Sequence, residues 1–169
     1  MNYVEYDSPI GKIYIQSDGD FLTGLWLEHQ KYFPKQLGVF KEDAVLLQAK
    51  KWLDKYFRGE NPKISLLPLK PSGTFFQQRI WQILMEIPYG KTTTYKNIAI
   101  RLADELQQKH PAYQAVGMAV GHNPISIIIP CHRVIGTNNC LTGYAGGLER
   151  KAALLNLEKA SFMEREDQL

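Results

Sequence analysis

The chain has 169 residues, 44% of them hydrophobic and 22% charged, the make-up of an ordinary globular protein with one domain or two small ones. Two cysteines exclude a disulfide framework and suit a reducing compartment. No apolar run approaches the ~20 residues of a membrane span, and the stretch Met1–Asp7 carries acids without an apolar core, so no signal peptide is read there and a cytoplasmic location is expected.

The net charge of +3 is unevenly spread. Residues 1–70 hold ten Lys and Arg against nine Asp and Glu, whereas residues 73–159 hold nine against five. The basic surplus therefore lies in the second half. It permits a polyanionic partner without requiring one.

Residues 2–7, 11–17 and 21–28 read as three short strands, with turns at Ser8-Pro9, Gly11 and Asp18-Gly19-Asp20. Val45, Ala49, Trp52, Leu53 and Tyr56 recur at helical spacing over 43–58, and Gly59 is a stop. The span 59–73, with three prolines and two glycines, reads as a linker. A second apolar stripe follows, Phe76, Ile80, Ile83, Leu84 and Ile87, closed by Pro88-Tyr89-Gly90. Thr93 or Thr94 can cap the next helix, where Tyr95, Ile98, Ala99, Leu102 and Leu106 share a face. Pro111 is suited to the first position of a third helix, 111–121. Its small residues allow either tight helix packing or close approach to a nucleic-acid backbone, as in a helix-turn-helix. The connection 104–111 is longer than the tight turn of that motif. Asn123-Pro124 leads into an apolar strand over 125–129. A Gly-rich loop, Gly143-Tyr144-Ala145-Gly146-Gly147, precedes a last helix running to Glu158. The fold class expected is α+β: a three-stranded antiparallel sheet with a helix, then a mainly helical domain.

Pro130-Cys131-His132-Arg133 carries the chemistry. A lone cysteine after three isoleucines is most often a buried structural thiol. A metal site is disfavoured, because neighbours in an extended chain point apart and neither Cys-x-x-Cys nor His-x-x-x-His occurs. The remaining reading is a nucleophile, with His132 as a candidate base and Arg133 as a candidate cation beside it.

The run Gly121-His122-Asn123-Pro124-Ile125-Ser126-Ile127-Ile128-Ile129-Pro130-Cys131-His132-Arg133-Val134 closely resembles the active-site segment of the O6-alkylguanine-DNA alkyltransferases, the methylated-DNA–protein-cysteine methyltransferases. Pro88-Tyr89-Gly90-Lys91-Thr92-Thr93-Thr94-Tyr95 resembles the family's entry into its first DNA-binding helix. Ala115-Val116-Gly117 is similar to its recognition helix, and Gly143-Tyr144-Ala145-Gly146-Gly147-Leu148 to its active-site loop. Glu158 stands where the family has a buried glutamate. The motifs span roughly 73–158, and the first 70 residues match in pattern alone. The domains implied are 1–70, α+β and ribonuclease H-like; 73–160, for DNA binding and alkyl acceptance; and a tail, 161–169.

The resemblance implies direct, single-use transfer of an alkyl group from O6 of guanine in duplex DNA to Cys131, after the base is flipped out through the minor groove; O4-alkylthymine is a further candidate substrate. His132 would act as the base through a water, with Glu158 orienting it. Asn123 would hold the turn, and Tyr95 would donate to the departing base. Tyr95, Val134, Tyr144, Ala145 and Gly146 would form the base pocket. Thr94, Tyr113, Gln114, Ala115 and Gly117 would face DNA. No cofactor, metal, membrane or obligate protein partner is expected, and the protein is expected to be a monomer. Cys140 reads as an incidental loop thiol. One departure stands out: the family usually has arginine where this chain has Gln114, which predicts slower extrusion or weaker binding. Another is that residues 1–30 lack the N-terminal metal ligands some members carry, having His29 and no cysteine. The alternative is an alkyltransferase-like lesion-binding protein with weak or no transfer; such relatives lack the acceptor cysteine that is present here. A redox or hydrolytic cysteine enzyme would turn over repeatedly.

Overall fold

Alternation of apolar and polar residues at the start of the chain becomes an antiparallel sheet of β1 (Asn2–Ser8), β2 (Gly11–Ser17) and β3 (Leu22–Leu27). The computed structural model describes residues 1–163. It divides into two units, Met1–Ser72 with Pro124–Ile128, and Gly73–Asn123 with the chain from Ile129 onward. Of the tail expected at 161–169, residues 164–169 lie outside the described residues.

In the first unit Ile13, Ile15, Leu25 and Leu27 point into the core. A strand that the patterning did not predict, β4 (Val39–Phe40), adds parallel to β1 and makes the order β3-β2-β1-β4. Two exposed residues carry no period to read. The helix α1 (Ala44–Phe57) starts at Asp43, whose carboxylate accepts from the Leu46 amide at 2.9 Å. The same carboxylate accepts from Ser17 and Asn2, which ties the helix start to the sheet. The expected linker 59–73 is anchored beside β3: the Leu22 amide donates to Pro68 and the Lys70 amide to Leu22.

The strand expected over 125–129 does not form. Ile125 makes one bridge to Leu25, and the Ser126 amide donates to Leu25 at 3.0 Å. The chain then curls, with the Ile128 amide donating to Ser126 and Ile127 at φ +70°. A β-branched residue in that region costs about 1–3 kcal/mol. Near-complete burial of Ile127, Ile128 and Ile129 offsets that cost. The apolar run was thus a buried turn, which apolarity alone does not distinguish from a strand.

The second unit holds α2 (Phe75–Met85), β5 (Thr93–Thr94), α3 (Tyr95–Glu105), α4 (Tyr113–Gly121), β6 (Val134–Ile135) and α5 (Leu148–Leu157). Thr74 and Gln77 form a capping box on α2. Thr94 caps α3 through the Asn97 amide. β5 and β6 pair in parallel, Thr93 with Val134. α4 begins at Tyr113 rather than Pro111, because Ala112 at ψ 70° is not helical. Trp81 joins α2 to α4: its buried indole N–H donates to the Ala119 carbonyl at 2.9 Å. Replacing it by phenylalanine removes that donor and leaves the carbonyl short of a partner. Trp81→Phe should cost about 1–3 kcal/mol, read as a lower denaturation midpoint with unchanged slope.

Candidate functional site

Cys131, His132 and Arg133 form one 3-10 turn after Pro130. The Cys131 amide donates to Ile129 at 2.8 Å and the Arg133 amide to Pro130 at 3.0 Å. At three residues per turn successive side chains fan out around the axis, so the cysteine and histidine are not forced apart as in a strand. Asn123 steadies this turn from the end of α4. Its side-chain amide donates to the Ile129 carbonyl at 2.7 Å, and its side chain also hydrogen-bonds Cys131. All three turn residues are buried, His132 completely.

Glu158 closes α5 as its C-cap and is 2% exposed. One carboxylate oxygen accepts from His132 Nε2 at 2.6 Å. The other accepts from Arg133 Nε at 2.7 Å and from the Gly90 amide at 3.2 Å. Gly90 has φ +77°, and a Cβ there would lie 3.0 Å from the Glu158 carbonyl oxygen. Glycine therefore lets the amide reach the carboxylate. Arg133 is completed by the Ile87 carbonyl at 2.8 Å, and its guanidinium lies 5.7 Å from the Tyr89 ring centre.

Burial raises the Glu158 carboxyl, but hydrogen bonds and charges from His132 and Arg133 outweigh it and bring the pKa down to about 2. An ionised Glu158 can only accept, so His132 Nε2 carries the proton and Nδ1 keeps its lone pair. Burial pushes the His132 pKa down despite Glu158, and the charges of Arg133 and Lys151 add to that. Nδ1 is buried and bonds to no protein group among the described residues. Burial pushes the Cys131 thiol up, while the Asn123 hydrogen bond and the Lys151 charge act the other way. Arg133 is therefore not the thiol's cation. It is spent on Glu158 and Ile87, and Lys151 takes that part.

The sequence reading missed Lys151. The available signal was a lysine on the same helical face as Leu154, Leu155 and Glu158, at spacings of three, four and seven. Tyr95 donates to the Gly143 carbonyl at 3.4 Å, and burial followed by the Cys131 charge holds its phenol protonated. The Tyr144 hydroxyl is buried with no protein partner among the described residues. Val134 is fully buried, and Ala145 and Gly146 are half-buried in the loop before α5. On α4, Tyr113, Gln114 and Ala115 are exposed and Gly117 is partly so. Among the described residues no three His, Cys, Asp or Glu side chains gather to hold a metal ion.

Two family models cover nearly the whole chain. The 6-O-methylguanine DNA methyltransferase ribonuclease-like domain matches residues 1–71, and the DNA-binding domain of the same family matches 75–160. The chain belongs to the 6-O-methylguanine DNA methyltransferase family. Methylated-DNA–protein-cysteine methyltransferase of Haemophilus influenzae is 44% identical to it over 166 residues, covering 98% of this chain and 90% of that one. The constitutive enzyme of Bacillus subtilis is 41% identical, covering 98% of this chain and all of its own. The Mycobacterium tuberculosis OGT structure in complex with DNA superposes with a TM-score of 0.81 at 42% identity, covering 94% and 93% of the two chains.

In this family member the Glu158 network sets an acid limit to stability. Folding depresses the Glu158 pKa from an ordinary 4.5 to about 2, so its contribution is complete above 4.5 and is lost as pH falls toward 2. Glu158→Gln should flatten that acid limb in denaturant melts taken across pH. At neutral pH it should cost about 3–5 kcal/mol, because Arg133 is left buried without its counter-charge.

Proposed function

We propose that this protein repairs DNA by taking an alkyl group from O6 of guanine in a duplex onto Cys131, once per molecule. The observation that carries the reading is the buried turn in which Glu158 holds His132 by a hydrogen bond and Asn123 bonds the neighbouring Cys131, with the Tyr95 hydroxyl on the Gly143 carbonyl. His132 Nδ1 draws the thiol proton through a water, and the imidazolium formed is stabilised by Glu158. The sulfur lone pair makes the S–C bond as the C–O6 bond breaks, and the electron pair returns to the base. The restored guanine gains its ring proton from the phenol of Tyr95, and the proton held by His132 passes through solvent to the phenolate, so that no net proton is gained or lost. A thioether is not hydrolysed, so the thiol does not return.

O6 lies within the base stack, and extrusion of the nucleotide costs a few kcal/mol, least for a poorly paired base. Val134, Tyr144, Ala145 and Gly146 would receive it. Tyr113, Gln114, Ala115 and Gly117, on the exposed side of α4, would enter the minor groove, with Thr94 beside the backbone. Affinity would rest on phosphate contacts from the basic half of the chain and fall with salt. The boundaries 1–70 and 73–160 would separate a scaffold from the reactive domain, in a monomeric cytoplasmic protein.

The test is incubation with excess duplex carrying O6-methylguanine, followed by intact-protein and peptide mass spectrometry. One methyl per protein, on the Cys131 peptide, with a plateau at one equivalent, is expected; an unmodified Cys131 peptide or continuing turnover sinks the proposal. Gln114→Arg should tighten binding to the lesion duplex and steepen the salt dependence by up to roughly one counterion. A binding titration at several salt concentrations reads this directly.

A further inference from the structure

A groove lies on the first unit, between α1 and the segment 62–67 that follows it. Its floor is apolar, set by the buried Trp52 and Leu67 with Pro62 beside them. That floor is held in place. The Trp52 indole N–H donates to the Lys63 carbonyl at 3.0 Å, and its ring stacks on Tyr56 with centroids 5.5 Å apart and planes 8° from parallel. Residues Ile64–Leu66 form a 3-10 turn, closed by the Leu67 amide on the Ile64 carbonyl at 3.0 Å. Leu66, in that turn, lines the groove and is 62% exposed. The rim is cationic. Lys51 and Lys55, one turn apart on α1, are exposed, and among the described residues neither makes an ion pair. Lys50, beside them, is by contrast paired with Glu42 at 2.9 Å.

We propose that this groove docks a short acidic segment of a partner protein, with one apolar side chain in the cavity and flanking carboxylates on Lys51 and Lys55. The cavity holds about 220 Å³, less than the ~300–1,000 Å³ of small-molecule and cofactor sites, so it suits a single side chain. An apolar floor edged by two lysines is complementary to an amphiphilic anion. An aromatic or aliphatic side chain buries surface against Trp52, Leu66 and Leu67, and the two ammonium groups fix the register of the acids around it. Duplex DNA is a poorer match, because nucleic-acid surfaces carry an extended basic stripe, whereas residues 1–70 hold ten Lys and Arg against nine Asp and Glu. The preformed floor keeps the ordering cost of binding low. The proposal does not rest on the alkyl-transfer reading.

The test uses the full chain and short fluorescein-labelled peptides of Asp and Glu around one central Phe, Trp, Leu or Met. Binding is read by fluorescence polarisation with protein up to about 1 mM, the weak end of specific recognition. Saturable binding of at least one peptide is expected, with amide NMR shifts on α1 and residues 62–67. The double variant Lys51→Glu with Lys55→Glu should weaken it roughly tenfold, the scale of two exposed ion pairs lost. Alanine in place of the central peptide residue should weaken it by a similar factor. Both lysines are exposed, and an unchanged circular dichroism spectrum shows that the double variant is folded. No saturable binding, or binding that survives either change undiminished, overturns the proposal. A lysine-dependent dimer, or lysine-dependent binding to phosphatidylglycerol vesicles or to duplex DNA with none to the peptides, overturns it too. None of these readouts involves Cys131, so a failure here leaves the alkyl-transfer reading standing, and an unmodified Cys131 leaves this one standing.

Discussion

Glu158, itself buried, binds the buried His132 through one oxygen and Arg133 and the Gly90 amide through the other. Taking a carboxylate out of water is expensive, and here several charge-assisted donors compensate it. The consequences spread through the second unit. Arg133 is drawn away from the thiol, the histidine is locked in one tautomer, and the Pro88-Tyr89-Gly90 turn is fastened to the end of α5. Removing the carboxylate would leave a buried guanidinium and an unoriented imidazole together.

The thiol itself begins in an unfavourable place. Burial opposes the thiolate, so the nucleophile is made when a base takes its proton, and it is protected until then. Three devices act on it with different chemistry. Asn123 hydrogen-bonds the side chain and holds the Ile129 carbonyl, His132 offers a lone pair, and Lys151 contributes charge with no carboxylate paired to it among the described residues. The 3-10 turn makes the set possible, because it points neighbouring side chains around an axis instead of to opposite faces.

Much of this was legible in the sequence. The three long strands, the three apolar helical stripes and the threonine cap at 93 or 94 are local patterns, and local patterns survive folding. Cys131 and His132 stood out by their chemistry and Asn123, Tyr95 and Glu158 by resemblance, whereas the bonds from Glu158 to His132 and from Asn123 to Cys131 are made by folding. What was illegible depends on partners distant in sequence. Ile125–Ile129 looked like a strand because β-branched residues favour strands, yet Ile127 is bent into the left-handed region by surroundings that no window of sequence contains. Val39–Phe40 is too short to show a period. Arg133 looked like the cation of the cysteine because the two are close along the chain. Glu158, 25 residues on, claims it, and Lys151 takes its place.

The central claim is that the Glu158 carboxylate keeps the proton on His132 Nε2 and leaves Nδ1 free to accept one from Cys131. Nitrogen-15 NMR of the histidine ring in the unreacted protein at neutral pH reads this directly. The account predicts a protonated Nε2 and an unprotonated Nδ1 for His132, with that preference lost in Glu158→Gln. A proton resident on Nδ1 in the wild type would contradict it.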